Sequence, residues 1–269
     1  PESSLRRGKG LRTSKGMTRI KPLDGVHNFR HFHGYDAADG ATVREGLYRS
    51  GHQSRASEAD RAVFEDLGIK VVADLRKRRE RDNEPFDWPE HVRVIASDQG
   101  NSGEPPHLAF LRKGVHTEEA VRDYMMSAYR RIPMEACNQE VYRAAYKALA
   151  SGEADSGFLV HCAAGKDRTG IFCALILDEL GVAHDEIVED YLLTNKAVNF
   201  DEIIPRIQER VRSEDGQPMN AAIMQVFLGV EADYLEEAFR TMGSTDQYVT
   251  EQLGITEAER QALRQRWLA

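Results

Sequence analysis

The sequence predicts an α/β fold in which a central, mainly parallel sheet is flanked by helices. Three short apolar runs have the character of buried strands, at 69–75, 92–96 and 158–160, and segments with helical periodicity lie between and after them. The 269 residues, of which 41% are hydrophobic and 30% charged, are enough to bury the core of such a domain. We therefore expect one α/β domain with extra helices at its C-terminal end.

Residues 1–16 are rich in Ser, Gly, Lys and Arg, so they are predicted to be a flexible N-terminal extension, with Met17 as the expected natural start. The single domain is expected at 17–269, including a helical region at 195–269. The sequence contains no apolar stretch of membrane-spanning length and no recognisable signal peptide. A cytoplasmic location is therefore expected, with leaderless export as the alternative.

Capping and turn residues mark the elements of the N-terminal half. Ser57 is expected to cap a helix that ends at Leu67, because its hydroxyl can accept a first-turn N–H and acidic residues follow it. The Gly- and Pro-containing stretch 100–106 is predicted as a loop. Trp88 and Pro89 are not expected to belong to the active site. They precede the strand 92–96, whereas α/β proteins bind ligands at the carboxyl ends of strands.

Helical periodicity dominates the C-terminal half. A buried helical segment at 171–177 follows the strand 158–160 and stops at Gly181. Pro133 separates the first two predicted helices, and Pro205 is expected to break or kink the fourth. Besides the buried segment, the predicted helices are 117–132, 138–150, 185–193, 195–212 and 220–228.

A tight loop joins the strand 158–160 to the buried helix, and it carries the sequence His161-Cys162-Ala163-Ala164-Gly165-Lys166-Asp167-Arg168-Thr169-Gly170. Backbone N–H groups in such a turn and the positive end of a helix together make an anion site. The same field would stabilise Cys162 as a thiolate, and the planar guanidinium of Arg168 matches two oxygens of a phosphate. The pattern therefore predicts a phosphate site with a nucleophilic cysteine.

This Cys-x5-Arg loop resembles the signature of the protein-tyrosine phosphatase superfamily. The fuller match, His-Cys-x-x-Gly-Lys-Asp-Arg-Thr-Gly, resembles its branch of microbial tyrosine and phosphoinositide phosphatases related to the secreted mycobacterial enzyme. Three further segments resemble strands of this family near the active site, at 28–30, 47–51 and 74–76. In the last of these the resemblance implies that Asp74 and Arg76 pair. The resemblance extends from about residue 28 to the C-terminus and implies a tyrosine-phosphatase-like fold.

The resemblance also implies phosphomonoester hydrolysis through a cysteinyl-phosphate, without metal or other cofactor. Cys162 would attack the phosphorus atom, and Arg168 would hold the equatorial oxygens together with the loop backbone. The residues implied to bind the phosphate in this way are Ala163, Ala164, Gly165, Lys166, Asp167 and Arg168.

The leaving oxygen needs a general acid, and the resemblance implies Asp167. Asp98 is the alternative because it follows the strand 92–96 at the expected edge of the sheet, and Asp167 could instead form a salt bridge with a neighbouring Arg. Thr169 would assist the departure of the sulfur in the second step. His161 would order the loop, and its use as a general base is disfavoured because its family counterpart points away from the loop.

Other titratable residues are predicted to lie outside the chemistry. His27, His31 and His33 lack a carboxylate or Cys in register, so they are expected to be solvent-facing strand residues and not metal ligands. Cys137, Cys162 and Cys173 are an odd number without metal-like spacing, so no disulfide framework is expected.

Charge indicates the substrate class. Lys166 places an extra cation inside the loop, and the stretch 76–81 is mostly basic, so phosphoinositide headgroups are expected as substrates beside phosphotyrosine, with phosphoserine and phosphothreonine weaker. Lys166 could instead pair with a nearby carboxylate, and 76–81 could be a solvated turn. The net charge of −8 argues against a nucleic-acid partner.

Two other functional classes fit part of this pattern. A catalytically inactive phosphate-binding module would tend to lack the Cys or the Arg, and both are present here. A sulfurtransferase or an arsenate reductase also uses a loop cysteine, but the residues from Gly165 to Thr169 fit a phosphatase better.

Overall fold

A five-stranded sheet organises the fold. A computed structural model of the protein describes residues 19–99, 109–110, 117–210 and 220–269. The order of the strands is β1-β2-β5-β3-β4, in which β1 pairs antiparallel with β2 and every other pair is parallel. The predicted α/β fold with a mainly parallel central sheet is therefore confirmed. The strands are β1 (Arg30–His31), β2 (Leu47–Ser50), β3 (Val71–Asp74), β4 (Arg93–Ala96) and β5 (Phe158–His161).

Helices cover the sheet and form the C-terminal region. The capping signal at Ser57 is confirmed, since its hydroxyl accepts the Asp60 N–H at 3.1 Å. In chain order the helices are α1 (Glu58–Asp66), α2 (Arg78–Asn83), α3 (Glu118–Arg131), α4 (Ala136–Ser151), α5 (Asp167–Glu179), α6 (His184–Leu192), α7 (Thr194–Ala197), α8 (Phe200–Arg210), α9 (Ala221–Leu228), α10 (Ala232–Met242), α11 (Thr245–Gln247), which continues as a π-helical turn (Tyr248–Gln252), and α12 (Glu257–Trp267).

Both faces of the central strands are buried. Val71 and Phe158 point to the larger apolar cluster, which contains the buried side chains of α4 and α5, whereas Val72 and Leu159 point to a smaller cluster that Trp88 covers. This alternation follows from the pleat of the strands. It explains why β3 and β5 are almost continuously apolar, as strands buried on both faces are.

Parallel pairing brings the carboxyl ends of β5, β3 and β4 to one edge of the sheet. In the register of these strands, Asp74 lies beside His161 on one side and Ala96 on the other. The loop after β5, the segment that leads into α2 and Asp98 after β4 therefore share this edge. Ligands of α/β proteins bind at such an edge.

The helix predicted at 195–212 is broken, but the break does not lie at Pro205. The chain leaves the helical conformation at Val198, with φ −101° and ψ 123°, and Pro205 lies inside α8. Asn199 directly precedes α8, where Asn is a favoured cap. Because Pro205 follows the first turn of α8, its missing N–H removes only the hydrogen bond to the Asp201 carbonyl.

Two predicted segments, the N-terminal extension at 1–16 and the loop at 100–106, lie outside the described residues. In the parts of the chain that are described, none of the helices combines the length and the apolar character that crossing a membrane requires.

Candidate active site

The candidate site is the loop 162–166 between β5 and α5. Cys162 follows the last residue of β5 directly and is 2% exposed. α5 begins at Asp167, and Lys166 before it provides no side-chain cap for the helix. The first N–H groups of a helix have no intrahelical acceptor, so those at the start of α5 are available to an anion.

Three outward-facing carbonyls fix the shape of the loop. The His52 N–H donates to the Ala163 oxygen at 3.2 Å, and Asn28 Nδ2 donates to the oxygens of Ala164 and Gly165 at 3.2 and 2.9 Å. Arg49 Nη2 also donates to the Gly165 oxygen, at 3.0 Å. In a trans peptide the next N–H points opposite to the carbonyl, so the amides that follow these carbonyls face the loop interior. We call Asn28, Arg49 and His52 the strand flank.

Gly165 permits this arrangement. Its φ is +67°, and a Cβ at this position would lie 2.2 Å from the Ser50 oxygen. A side chain would therefore meet both the strain of the left-handed region and the backbone at the end of β2. The glycine is required for the close approach between the loop and the sheet.

Arg168 is oriented by Glu80 of α2. Its Nη1 and Nη2 donate to the two Glu80 carboxylate oxygens at 2.6 and 2.8 Å, and Nη1 also donates to the Leu75 oxygen at 2.9 Å. A guanidinium has five N–H donors. Nε–H and the second hydrogen of Nη2 have no acceptor among the described residues, and this edge matches two oxygens of a phosphate.

Among the described residues, Asp167 has two hydrogen-bond partners, and neither is an arginine. Its Oδ1 accepts from Tyr129 of α3 at 2.7 Å and from Lys166 Nζ at 3.0 Å. Burial raises the pKa of Tyr129 well above its usual value, so the phenol remains a donor. The carboxylate stays beside the loop and is one-quarter exposed.

Lys166 is 5% exposed and points to the C-terminal end of α9. Besides Asp167, its ammonium donates to the carbonyls of Phe227 and Gly229 at 3.1 and 3.4 Å. Of the two alternatives for Lys166, the structure thus shows the pairing with a nearby carboxylate. We call Glu80, Tyr129 and the carbonyls of Phe227 and Gly229 the helix flank.

His161 and Thr169 are buried under the loop. Burial lowers the pKa of His161 to about 4, so the imidazole is neutral at pH 7. Its Nδ1 lies 3.4 Å from the Cys162 oxygen, and its Nε2 lies 3.7 Å from an oxygen of Asp74. The hydroxyl of Thr169 is fully buried without a hydrogen-bond partner among the described residues.

Asp98 lies at the expected edge, and none of its hydrogen bonds to described residues reaches the loop. Its side chain is 77% exposed and accepts a hydrogen bond from Arg81 at 2.6 Å. The expected pair of Asp74 and Arg76 is present, with a shortest distance of 2.7 Å. The stretch 76–81 is thus tied by ion pairs, and its acidic member, Glu80, contacts the loop.

The prediction that the three early histidines face solvent is wrong for His33. It is 8% exposed, and its Nδ1 accepts the N–H groups of Gly46 and Leu47 at 3.2 and 3.3 Å. The turn into β2 leaves these two amides without acceptors on a neighbouring strand, and the imidazole is their acceptor instead. Among the described residues no cluster of three or more His, Cys, Asp or Glu side chains could hold a metal ion.

Sequence reasoning missed the second layer of the site. Glu80 lies in a basic stretch and was not predicted to contact the site. Asn28 and Arg49 were identified only as parts of segments that resemble strands of the family. The available signal was chemical, because an Asn and an Arg next to apolar strand residues must find buried partners. The assembled site places a buried cysteine among inward-facing amides, a guanidinium edge and a carboxylate, which suits attack on a phosphate ester.

Comparison with known proteins agrees with this chemistry. Residues 21–269 match the sequence profile described as the tyrosine phosphatase family. The chain is similar to the triple specificity protein phosphatase PtpB of Mycobacterium tuberculosis, with 34% identity over 84% of this chain and 90% of the relative. It is also similar to a Cupriavidus necator protein whose name places it among the tyrosine-protein phosphatases, with 30% identity over 88% of this chain and 85% of the relative.

Proposed function

The chain belongs to the tyrosine phosphatase family, and we propose that it hydrolyses phosphotyrosine through a cysteinyl-phosphate on Cys162. The observation that carries this proposal is the direction of the loop amides, which follows from the three bound carbonyls of residues 163–165. Amides that face inward bind the equatorial oxygens of a phosphoryl group, and Cys162 at the start of the same loop is in position for in-line attack.

In the first step the Cys162 sulfur forms a bond to phosphorus while the bond to the tyrosine oxygen breaks. Asp167, which must be protonated when the ester is bound, gives its proton to that oxygen, and Arg168 stabilises the charge on the transferred group with the edge that has no acceptor among the described residues. In the second step Asp167 takes a proton from water, the water oxygen attacks phosphorus, and the sulfur leaves as a thiolate. The Thr169 hydroxyl, which has no hydrogen-bond partner in the described part of the chain, supports a role as donor to that sulfur.

Replacement of the nucleophile tests the mechanism. Cys162→Ser should abolish hydrolysis of an aryl phosphate while inorganic phosphate still binds, because the loop amides and Arg168 remain. Acid-quenched wild-type enzyme should carry phosphate on Cys162, detectable by mass spectrometry. Cys137→Ser, which changes a half-buried thiol at the start of α4, is the control and should keep wild-type turnover. Turnover of a few per cent by Cys162→Ser would exclude the covalent route through this residue.

The assignment of the acid has its own test. Asp167→Asn should slow hydrolysis of alkyl phosphates about 10²–10⁴-fold and of activated aryl phosphates far less, because a basic leaving oxygen needs the proton most. Asp98→Asn, which changes a carboxylate paired only with Arg81 among the described residues, should behave as wild type. If the leaving-group dependence followed Asp98→Asn, the two roles would have to be exchanged.

Hydrolysis of phosphoinositide headgroups is the finer part of the proposal. Its support is the Lys166 ammonium, a cation in the loop that a second phosphate could attract away from the Phe227 and Gly229 carbonyls. Lys166→Met should then reduce turnover of a soluble inositol bisphosphate at least 10-fold more than turnover of a phosphotyrosine peptide. Lys196→Met, at an exposed position in α7, is the matched control. Equal losses on both substrates would exclude a lipid-directed role for Lys166.

A further inference from the structure

Two buried arginines contact one aspartate behind the catalytic loop, Arg49 at its carboxylate and Arg30 at its backbone oxygen. Arg30 and Arg49 have no exposed surface, and Asp190 of α6 is 2% exposed. Arg49 Nη1 forms an ion pair with Asp190 Oδ2 at 2.9 Å. Arg30 Nη2 instead donates to the Asp190 backbone oxygen at 3.1 Å and to the Thr194 hydroxyl at 3.2 Å. We call Arg30, Arg49 and Asp190 the arginine cluster.

The arginine cluster is connected directly to the catalytic loop. Arg49 Nη2 donates to the Gly165 oxygen at 3.0 Å, and Arg30 Nη1 donates to the Asn28 side-chain oxygen. Asn28 in turn donates to the oxygens of Ala164 and Gly165. In the parallel pairing of β2 with β5, Arg49 lies beside Val160, two residues before the nucleophile. Each guanidinium therefore ends within one or two hydrogen bonds of the loop backbone.

Two titratable neighbours of the arginine cluster, Tyr35 and Cys173, are neutral, and a third arginine, Arg19, lies over the Tyr35 ring. Tyr35 donates to Asp190 Oδ1 at 3.0 Å, and burial raises its pKa above its usual value. Cys173 of α5 is also part of these surroundings, and burial raises the pKa of its thiol to about 12. Burial and the neighbouring Arg49 lower the pKa of Arg30 to about 9, which still leaves it protonated at pH 7. The arginine cluster thus carries one net positive charge among the described residues.

This excess charge is costly as a purely structural feature. The Nε atoms of both arginines are buried without a partner among the described residues. The Arg49 guanidinium also lies under the first turn of α5, with Nη2 3.4 Å from where a Cβ on Gly170 would stand, so it meets the positive end of the helix. Buried ion pairs seldom stabilise a fold more than apolar side chains of similar size would. An anion above the cluster would balance its charge.

We infer that Arg30 and Arg49 are positioning residues for the catalytic loop, whose net positive charge is balanced by the Cys162 thiolate and, during turnover, by the bound phosphoryl group. This inference rests on the proposed function, because it needs Cys162 to act as a thiolate beside a phosphate. A charge-balancing role, unlike a packing role, fixes the direction in which each substitution changes the stability of the thiolate. Removal of positive charge from the cluster must destabilise the thiolate, and removal of negative charge must stabilise it.

Opposite substitutions in the full-length protein test these directions. Arg30→Met removes a cation without touching the loop directly, and it should shift the pH midpoint of Cys162 alkylation by iodoacetamide upward by about 1 unit and weaken inhibition by inorganic phosphate about 10-fold. Asp190→Asn removes the anion and should shift the alkylation midpoint downward. Tyr35→Phe removes a neutral partner of Asp190 and should leave the midpoint in place. Mass spectrometry at Cys162 separates its alkylation from that of the other two thiols.

Arg49→Lys adds a rescue test. A lysine keeps the charge but cannot bind Asp190 and the Gly165 carbonyl together, so the alkylation midpoint should stay near the wild-type value while kcat falls. Midpoints that move in the same direction in Arg30→Met and Asp190→Asn, or that do not move, would show a structural cluster and overturn the inference. If Asp190→Asn does not fold, equal profiles of Arg30→Met and Tyr35→Phe would overturn it. Alkylation and phosphate binding need no turnover, so they remain informative if the wild-type protein hydrolyses no phosphotyrosine.

Discussion

The two flanks of the catalytic loop hold different parts of it. The strand flank donates to backbone oxygens, those of Ala163, Ala164 and Gly165. In the described part of the chain, the helix flank contacts the site through side chains alone, those of Lys166 in the loop and of Asp167 and Arg168 in the first turn of α5. The first set of contacts determines where the amides point, and the second determines where the charged groups point.

This difference separates two requirements of phosphoryl transfer. The amides must face the phosphate before it arrives, because a donor that has to reorient loses much of its value in the transition state. The charged side chains must be oriented but must also exchange protons or partners during the reaction. We therefore expect substitutions that disturb the strand flank to abolish most activity, and substitutions in the helix flank to change the rate by smaller factors.

The largest effect is expected at Gly165, where the loop meets the strand flank. Gly165→Ala forces a Cβ to within 2.2 Å of the Ser50 oxygen at a φ of +67°. The free energy of unfolding should fall by more than about 3 kcal/mol, and kcat/KM should fall at least about 10³-fold in whatever protein folds. Urea unfolding and aryl phosphate turnover measure these quantities.

Gly40 provides the matched control for this substitution. Its φ is +77°, but a Cβ there would meet no atom within 4 Å. Gly40→Ala should therefore lose only the conformational advantage of glycine, about 1 kcal/mol, and keep full activity. If the two variants lost the same stability, close packing against Ser50 would not be the reason for Gly165.

The second-largest effect is expected from acid, which should destabilise the strands that lead into the site. Burial lowers the pKa of His161 and of His33, which supports the start of β2, to about 4 from an ordinary value of 6.5. The unfolded chain binds more protons than the native state between these values, so the stabilisation is complete above pH 6.5 and is lost as the pH falls to 4. His161 alone should account for about 3 kcal/mol.

Urea titrations at pH 7, 5.5 and 4.5 measure this loss. His33→Asn, which keeps an acceptor near the Gly46 and Leu47 amides but cannot gain a proton, should flatten part of the dependence. A free energy of unfolding that stays constant from pH 7 to pH 4.5 would contradict the assignment of both imidazoles as neutral, buried groups.

Local sequence patterns predict the loop and the elements around it, whereas contacts with distant residues determine both of its flanks. Strand β5, helix α5 and the loop between them depend on local patterns of apolar residues and turns, and these were predicted from the sequence. The contacts of Arg168 with Glu80 and of Arg49 with Asp190 join positions 88 and 141 residues apart. Hydrophobic periodicity reports which residues are buried, but it does not report which distant carboxylate meets a buried guanidinium. His33 was misassigned for the same reason, because its partners are backbone amides beyond the next turn.

Glu80 should have a smaller effect than the strand flank. In the capping box of α2 the Lys77 N–H donates to a Glu80 side-chain oxygen at 2.8 Å. Glu80→Gln keeps an oxygen for this hydrogen bond but removes the charge that holds Arg168. We expect kcat/KM for an aryl phosphate to fall about 10-fold. Asp82→Asn, which changes an exposed carboxylate 3.9 Å from Arg78 in the same helix, should have no effect. A Glu80→Gln enzyme faster than wild type would mean that Glu80 restrains Arg168 instead of orienting it.

The smallest effect is expected at Tyr129. Its hydroxyl holds the Asp167 carboxylate at 2.7 Å, and Lys166 still holds that carboxylate when the hydroxyl is removed. Tyr129→Phe should therefore slow hydrolysis of alkyl phosphates only about 3- to 5-fold, because the acid is less well positioned, and should leave activated aryl phosphates unchanged. Tyr191→Phe is the matched control, since the Tyr191 hydroxyl contacts Tyr129 and makes no hydrogen bond to Asp167 among the described residues. An equal loss on both kinds of substrate, or the same loss in both variants, would show that Tyr129 supports the packing of α3 and not the acid. The helix flank would then lack one of the side-chain contacts that distinguish it from the strand flank.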